Sequence, residues 1–366
     1  MKEALAKQYQ NLQYKREIVN NLSYYAIKID YKKLFESENC NEECYKFIEQ
    51  HFHCGEKMTA ISEILSTNED KEKLRDSIRC VHMVSLYLLG YSLYEKFDKD
   101  LEKYFSKYIK ELKEITSWYD FRYTWFLMAL YHDISSCKEE VDTSSEIESE
   151  EVFEKVLNNE KNIYNYKLET GKKFIPKFSK EDILNYLKQR KKENRIDHGI
   201  VAGYEFFCSI CMEFERKLGE KKCVFESRDN QHKLRWDRTH MDHFVFIADA
   251  IISHNIWFNA LKDKKIEKWD YDRYPLNFIL CLLDTIEPLK RFCGEEETEL
   301  KYNDVLENIS IVQNGKRSIK ITWNDIDIIK KNKGYQKWIN DIKGLDQWMN
   351  VEVKNTNKQN SIILTW

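Results

Sequence analysis

A chain of 366 residues with 42% hydrophobic side chains can bury a substantial core without disulfide support. Its 59 basic and 62 acidic side chains leave a net charge of −3, which removes any whole-surface attraction for polyanions and argues against nonspecific DNA binding as the main task. Ten cysteines in such a length do not make the dense framework of a small secreted domain, and Met1-Lys2-Glu3-Ala4-Leu5-Ala6-Lys7-Gln8 holds no apolar signal-peptide core. Every apolar segment is cut by charge within about 15 residues, short of a bilayer span. The expectation is a soluble, cytoplasmic protein with reduced thiols and no membrane partner.

Only three prolines and ten glycines punctuate the sequence, and amphipathic runs predict a mainly α architecture to about residue 295. Cys40, Cys44, His51, His53 and Cys54 fall close together and could assemble a zinc site. Their spacing does not match the usual paired knuckles, and Cys208 and Cys211 likewise fit a buried helix face. His82 lies in a predicted helix whose apolar positions Ile78, Val81, Leu86 and Leu89 turn its imidazole inward. The apolar run Trp125-Phe126-Leu127-Met128-Ala129-Leu130 then closes on Tyr131-His132-Asp133-Ile134. Two adjacent polar side chains at the end of a buried helix need partners that hydrocarbon cannot supply, and a metal ion would satisfy them.

Residues 141–151 are acidic, serine-rich and poor in apolar groups, which predicts an exposed loop at the rim of a site. The strongest basic run, residues 188–195, leads directly to Asp197, a capping residue, and His198, followed by the small residues Gly199, Ala202 and Gly203 that allow close approach of a helix or a phosphate. His240, His243 and His254 share a helix-like segment, but His243 and His254 would stand roughly 16 Å apart on an unbroken helix and cannot serve one ion. Asp284 ends another apolar run, and Pro288 removes an intrahelical N–H, so the helix should bend beside that carboxylate. Beyond it, residues 306–312 and 318–323 alternate as strands around an Asn314-Gly315 hairpin signal. A helix over 324–348 and short strands at 351–353 and 361–366 complete a β-β-α-β-β unit.

The order His82, His132-Asp133, His198, His254, Asp284, each on its own predicted helix, resembles the HD superfamily of metal-dependent phosphohydrolases. The resemblance covers roughly residues 74–292. It implies an HD-type helical bundle over residues 1–295 with an insertion at about 138–180, to which a small C-terminal α/β unit at 300–366 is attached. That unit could cover a face, hold a protein partner or a second copy of the chain, or restrict the substrate. The resemblance further implies one ion on His82, His132, Asp133 and Asp284, with Asp133 bridging to a second ion on His198 and His254. Mixed imidazole and carboxylate ligands suit manganese, iron, cobalt, nickel or zinc, with magnesium admissible. Asp133 and His198 would then be catalytic as well as ligating, while Lys191 and Arg195 would steady a leaving group or a distal phosphate. Where some members carry a second histidine after the position of His254, this chain has Asn255, which leaves completeness of a second metal shell open.

The implied reaction is in-line attack of metal-activated water on a phosphate ester. Arg273-Tyr274-Pro275 is not the Gly-Tyr-Pro signature of the cyclic-dinucleotide branch. The presence of both His198 and His254 between the His-Asp pair and the final Asp favours a two-ion site like that of helicase-associated HD nucleases. With near-neutral charge, a nucleotide or a short or single-stranded nucleic acid is the expected substrate. Tyr131, Tyr204, Phe244 and Trp257 are candidates for stacking bases, although aromatic residues at helical spacing more often form core. The alternative is a metal-stabilised nucleotide-sensing or partner-binding module without turnover.

Overall fold

The structure, a computed structural model, describes residues 35, 37, 39–53, 72, 77–105, 121–138, 163–168, 170–193, 195, 197–219, 224–226, 233–235, 238–256, 267–292, 301–324, 332–356 and 360–366. It is mostly helical, with a small antiparallel sheet at the C-terminal end. In chain order the first helices are α1 (Cys40–His53), α2 (Ile78–Ser92), α3 (Tyr94–Phe105) and α4 (Phe121–Tyr131), the last followed by a 3₁₀ turn over Ile134–Lys138. There follow α5 (Lys180–Lys192), α6 (His198–Gly219), α7 (Arg238–Ser253), α8 (Pro275–Ile286) and α9 (Leu289–Phe292). Among the described residues, no helix is long and apolar enough to cross a membrane.

Three of these helices are central because their sequences are apolar nearly all round. In α2 every residue from Cys80 to Tyr91 is buried, in α7 every residue from Met241 to Ser253, and in α8 almost all of them. Ser77 starts α2 by accepting a hydrogen bond on its side chain from the Arg79 N–H, and Pro275 starts α8, where its missing N–H costs nothing. Gly90 gives the Trp125 indole room to lie on the α2 backbone, and the Trp125 N–H donates to the Tyr87 carbonyl. Helices α6 and α7 pack closely along Gly199 and Gly203, so the small residues serve the approach of a helix.

Several expectations require correction. A short antiparallel pair, β1 (Val224–Glu226) and β2 (Lys233–Arg235), interrupts the helical body, too brief to leave an alternating pattern. Residues 306–308 are helical: α10 (Tyr302–Asn308) starts where the Asp304 carboxylate accepts the Lys301 backbone N–H at 3.2 Å and buries Val305 and Leu306, so alternation begins only at Ile309. Helix α8 stops at Ile286 and α9 begins afresh, so Pro288 separates two helices where a bend in one was expected. Tyr131, Tyr204 and Phe244 are sealed in the core, the first and last against Phe206 and Tyr204 against Tyr164, with no ring face for a base. Trp257, the 141–151 loop and Cys54 lie outside the described residues, as do the side chains of His51 and His53. Cys40 and Cys44 are buried thiols on α1, their sulfurs 4.0 Å apart.

The C-terminal unit contains β3 (Ile309–Gln313), β4 (Ser318–Trp323), α11 (Lys333–Lys343), β5 (Glu352–Thr356) and β6 (Ser361–Thr365), with strand order β3-β4-β6-β5, all antiparallel. Asn314-Gly315 does open the β3–β4 turn, where Gly315 and Arg317 take left-handed backbone at φ 92° and 51°. One apolar cluster runs without interruption from the helical body into this unit. Trp366 rests on Phe97, Tyr271 and Phe278, and α11 lies on α8 and α9. There the Trp338 indole N–H donates to the Ile286 carbonyl, Arg291 pairs with Asp341 at 3.0 Å, and the Asn332 amide donates to the Phe292 carbonyl. The two amide and indole bonds take up carbonyls that the interrupted helix leaves without an intrahelical partner.

A buried carboxylate ties the segment before α5 to α7 and α8. Asp249 accepts from the Lys177 backbone N–H at 3.1 Å and from the Asn277 amide at 3.0 Å. Burial nevertheless lifts its pKa from 3.8 to about 6, the two hydrogen bonds offsetting only part of that. A pKa raised on folding contributes stability that is present below the unfolded value and lost as pH rises through the folded one. Asp249 should therefore withdraw about 3 kcal/mol of stability between pH 4 and pH 7. Chemical denaturation of wild type and Asp249→Asn across that range checks this: wild type should lose ground relative to the variant as pH rises, and a pH-independent difference would refute it.

Candidate metal centre

Helix ends build the centre. His132 and His254 each follow directly on the last residue of a buried helix, α4 and α7, and each ring uses Nδ1 to reach back to a carbonyl of the final turn. His132 Nδ1 lies 2.8 Å from the Ala129 oxygen and His254 Nδ1 2.7 Å from the Ile251 oxygen. A carbonyl can only accept, so Nδ1 carries the proton and Nε2 presents its lone pair to the centre. The same local device thus appears twice, in Ala129-Leu130-Tyr131-His132 and in Ile251-Ile252-Ser253-His254.

His82 projects from the second turn of α2 and is held by a carboxylate: its Nδ1 is 2.7 Å from Glu287 Oε2. Glu287 is fully buried and also accepts from Ser85 Oγ at 2.7 Å and from the backbone N–H groups of Leu289 and Lys290, which makes it the cap of α9 as well. On its other side His82 Nε2 stands 3.3 Å from His132 Nε2 and 2.8 Å from Asp284 Oδ1. Asp133 turns Oδ1 toward His198 Nε2 at 2.7 Å and His254 Nε2 at 3.7 Å. Its Oδ2 meets Arg79 Nη1 at 2.8 Å and Lys290 Nζ at 3.3 Å, and Lys290 also reaches Asp284 Oδ1 at 3.3 Å.

All six sequence-chosen ligands therefore converge, and two overlapping groups of them could each hold a metal ion: His82, His132 and Asp284, and His132, Asp133 and His254. His132, more than Asp133, is the member common to both. The donors fit a cation by an independent sign. Asp133 Oδ1 and His254 Nε2 are buried and have no hydrogen-bond partner among the described residues. Such atoms cost on the order of 1–3 kcal/mol each unless something satisfies them, and a metal ion would.

Electrostatics set the charge states of the candidate ligands. Burial works against ionisation of Asp133 and Asp284, but Lys290 on both, with Arg79 on the first and the His132 and His82 rings on the second, holds each carboxyl well below the usual range. Burial pushes the His132 pKa down to about 4, leaving a neutral ring. For His82, burial and Lys290 oppose protonation, yet its hydrogen bonds to Asp284 and Glu287 prevail and raise its pKa.

The remaining candidates lie elsewhere. His243 is buried near the start of α7, its Nε2 2.8 Å from Thr124 Oγ1, and acts as a core residue; the His240 side chain lies outside the described residues. Asn255 turns its amide to Asp197 at 3.0 Å. Lys191 belongs to α5, its side chain outside the described residues, and Arg195 is exposed beyond that helix. The cations seen to reach the ligands are Arg79 and Lys290, and together with Glu287 they are what the sequence reading missed. Arg79 precedes His82 by one helical turn and Lys290 follows Asp284 by six residues, spacings that offered a signal only after the ligands were chosen. Comparison of the chain with protein-family models, curated proteins and solved structures gives no match.

Proposed function

We propose that the chain is an HD-type metal-dependent phosphohydrolase that cleaves a phosphate ester of a nucleotide or of a short or single-stranded nucleic acid. The observation that carries this reading is the convergence of His82, His132, Asp133, His198, His254 and Asp284 at one buried point in the superfamily's chain order. Bound divalent ions would supply Lewis acidity at the phosphoryl oxygens and lower the pKa of water. The protein's own part is to orient the imidazole rings, to keep Asp133 and Asp284 ionised, and to offer Arg79 and Lys290 to an anionic group. Both cations are only partly exposed, at 24% and 10%, so their charge is less screened than on an open surface. Lys191 and Arg195 take the more distant task of meeting a second phosphate. Neutralising Lys191, Lys192 and Arg195 together should raise KM with kcat little changed; unaltered kinetics would remove that role.

The direct test is product release from a panel of nucleotides, cyclic and linear oligonucleotides, and single-stranded DNA and RNA, with manganese and then with other divalent metals. Hydrolysis that disappears on chelation and returns with metal is the expected result, and the responsive compound names the substrate class. Metal binding with no turnover across the panel would favour the nucleotide-sensing or partner-binding module.

A further inference from the structure

The position after His254 is occupied by Asn255, and its contacts give it a task other than ligation. Three elements meet there. Asp197, fully buried, caps α6 by accepting the Ile200 N–H on Oδ1 at 2.9 Å, which fixes His198 as the first residue of that helix. Its second oxygen accepts the Asn255 side-chain amide at 3.0 Å and accepts from the Tyr186 hydroxyl at 3.1 Å, which stands at the same distance from the Asn255 backbone carbonyl. One hydroxyl proton is thus shared between Asp197 and Asn255. Tyr186, 1% exposed on α5, clamps the junction from outside.

The residues so joined are the immediate neighbours of two proposed ligands, His198 beside Asp197 and His254 beside Asn255. Their rings lie 5.4 Å apart by centroid, and the packing leaves no slack: a Cβ on Gly199 would sit 2.6 Å from His254 Cε1. His82 is held by a different support, Glu287, whereas Lys290 reaches Asp133 as well as Asp284. The Asp197–Asn255–Tyr186 network is therefore separate from the one that holds His82.

We infer that Asn255, Asp197 and Tyr186 are positioning residues that set the spacing of His198 and His254, and so govern occupancy of the second ion without governing the first. The inference rests on the metal-centre reading proposed above. It assigns Asn255 the role of a strut between two ligand-bearing segments. A hydrogen-bonded amide and carboxylate can fill that role with either group on either side, because only one N–H donor and one acceptor are needed between them.

That interchangeability provides the test. Manganese alone is titrated calorimetrically into metal-stripped full-length wild type, Asn255→Ala, Asn255→Asp, Asp197→Asn and the reciprocal double variant Asp197→Asn/Asn255→Asp, with metal content after dialysis and thermal unfolding as parallel readouts. Wild type should bind two ions. Asn255→Ala and Asn255→Asp should weaken the second step about 10- to 100-fold and leave the first within about 2-fold. In the double variant the amide introduced at position 197 donates to the carboxylate introduced at position 255, and its carbonyl still caps Ile200. That protein should recover most of the second step even though each single variant loses it. Single variants with two unaltered steps would overturn the inference, as would loss of both steps in parallel with a fall in melting temperature. One ion in wild type would overturn it while leaving a metal centre; no ion in wild type would overturn the metal reading itself.

Discussion

Replacing Asp133 by alanine should abolish hydrolysis and weaken metal binding in both halves of the centre. The carboxylate offers Oδ1 to His198 and His254 and Oδ2 to Arg79 and Lys290, with His82 Nε2 at 3.8 Å. Its loss does more than delete a ligand. Arg79 and Lys290 would be left facing each other in a poorly screened space without the anion that separates them, a defect of about 3–5 kcal/mol when one member of a buried ion pair is removed. Asp133→Asn keeps the volume and separates the two effects, since it retains an acceptor for one cation but has a poor ligand oxygen. Calorimetry with manganese, unfolding in chelator, and turnover on the compound found by the substrate panel measure the three consequences. Hydrolysis that survives Asp133→Ala would sink the mechanism.

The second large effect is expected at Glu287, which touches no proposed metal position. Glu287→Ala removes the partner of His82 Nδ1, the acceptor of Ser85, and the cap that accepts the Leu289 and Lys290 N–H groups. Outer partners of ligating histidines are worth about 10- to 100-fold in metal affinity or activity. The lost cap and the stranded polar groups should add about 3 kcal/mol or more of destabilisation. Glu287→Gln keeps a carbonyl acceptor for the backbone or for His82, but cannot serve all four donors as a carboxylate does, and should fall between wild type and alanine. Equal metal affinity in all three proteins would show that His82 needs no outside support.

Most of the candidate ligands were legible in the sequence because they are polar residues within or closing an apolar run, a contradiction that periodicity exposes, whereas His198 opens a helix behind the capping Asp197. His132 was the plainest, since it adjoins Asp133 at the end of a buried run, whereas the carbonyls that hold His132 and His254 belong to the structure. Arg79 and Lys290 were not legible, because nothing local distinguishes them among the 59 basic residues of the chain. Their significance is their distance to Asp133, set by contacts between residues 54 and 157 positions apart. Glu287 looked like a residue before a proline, and its four donors come from two separate helices. The late strands were readable from Ile309 onward, whereas residues 306–308, the end of α10, read as strand because Leu306 suits either structure and the helix is announced only by the Asp304 carboxylate on the Lys301 N–H.

The break at Pro288 leaves Asp284 and Lys290 on two separate rigid rods, and the splint across that fracture is α11, through Trp338 on one side and Asp341 and Asn332 on the other. The spacing of Asp284 and Lys290 is thus dictated by residues more than 40 positions downstream. On the proposed function, a chain diverging from this one could retune which anion it accepts by repacking α11 alone, with every candidate ligand and every charge in the centre kept unchanged. Selection for a new substrate would then leave its marks on the C-terminal unit, in a part of the sequence where no catalytic motif would be sought.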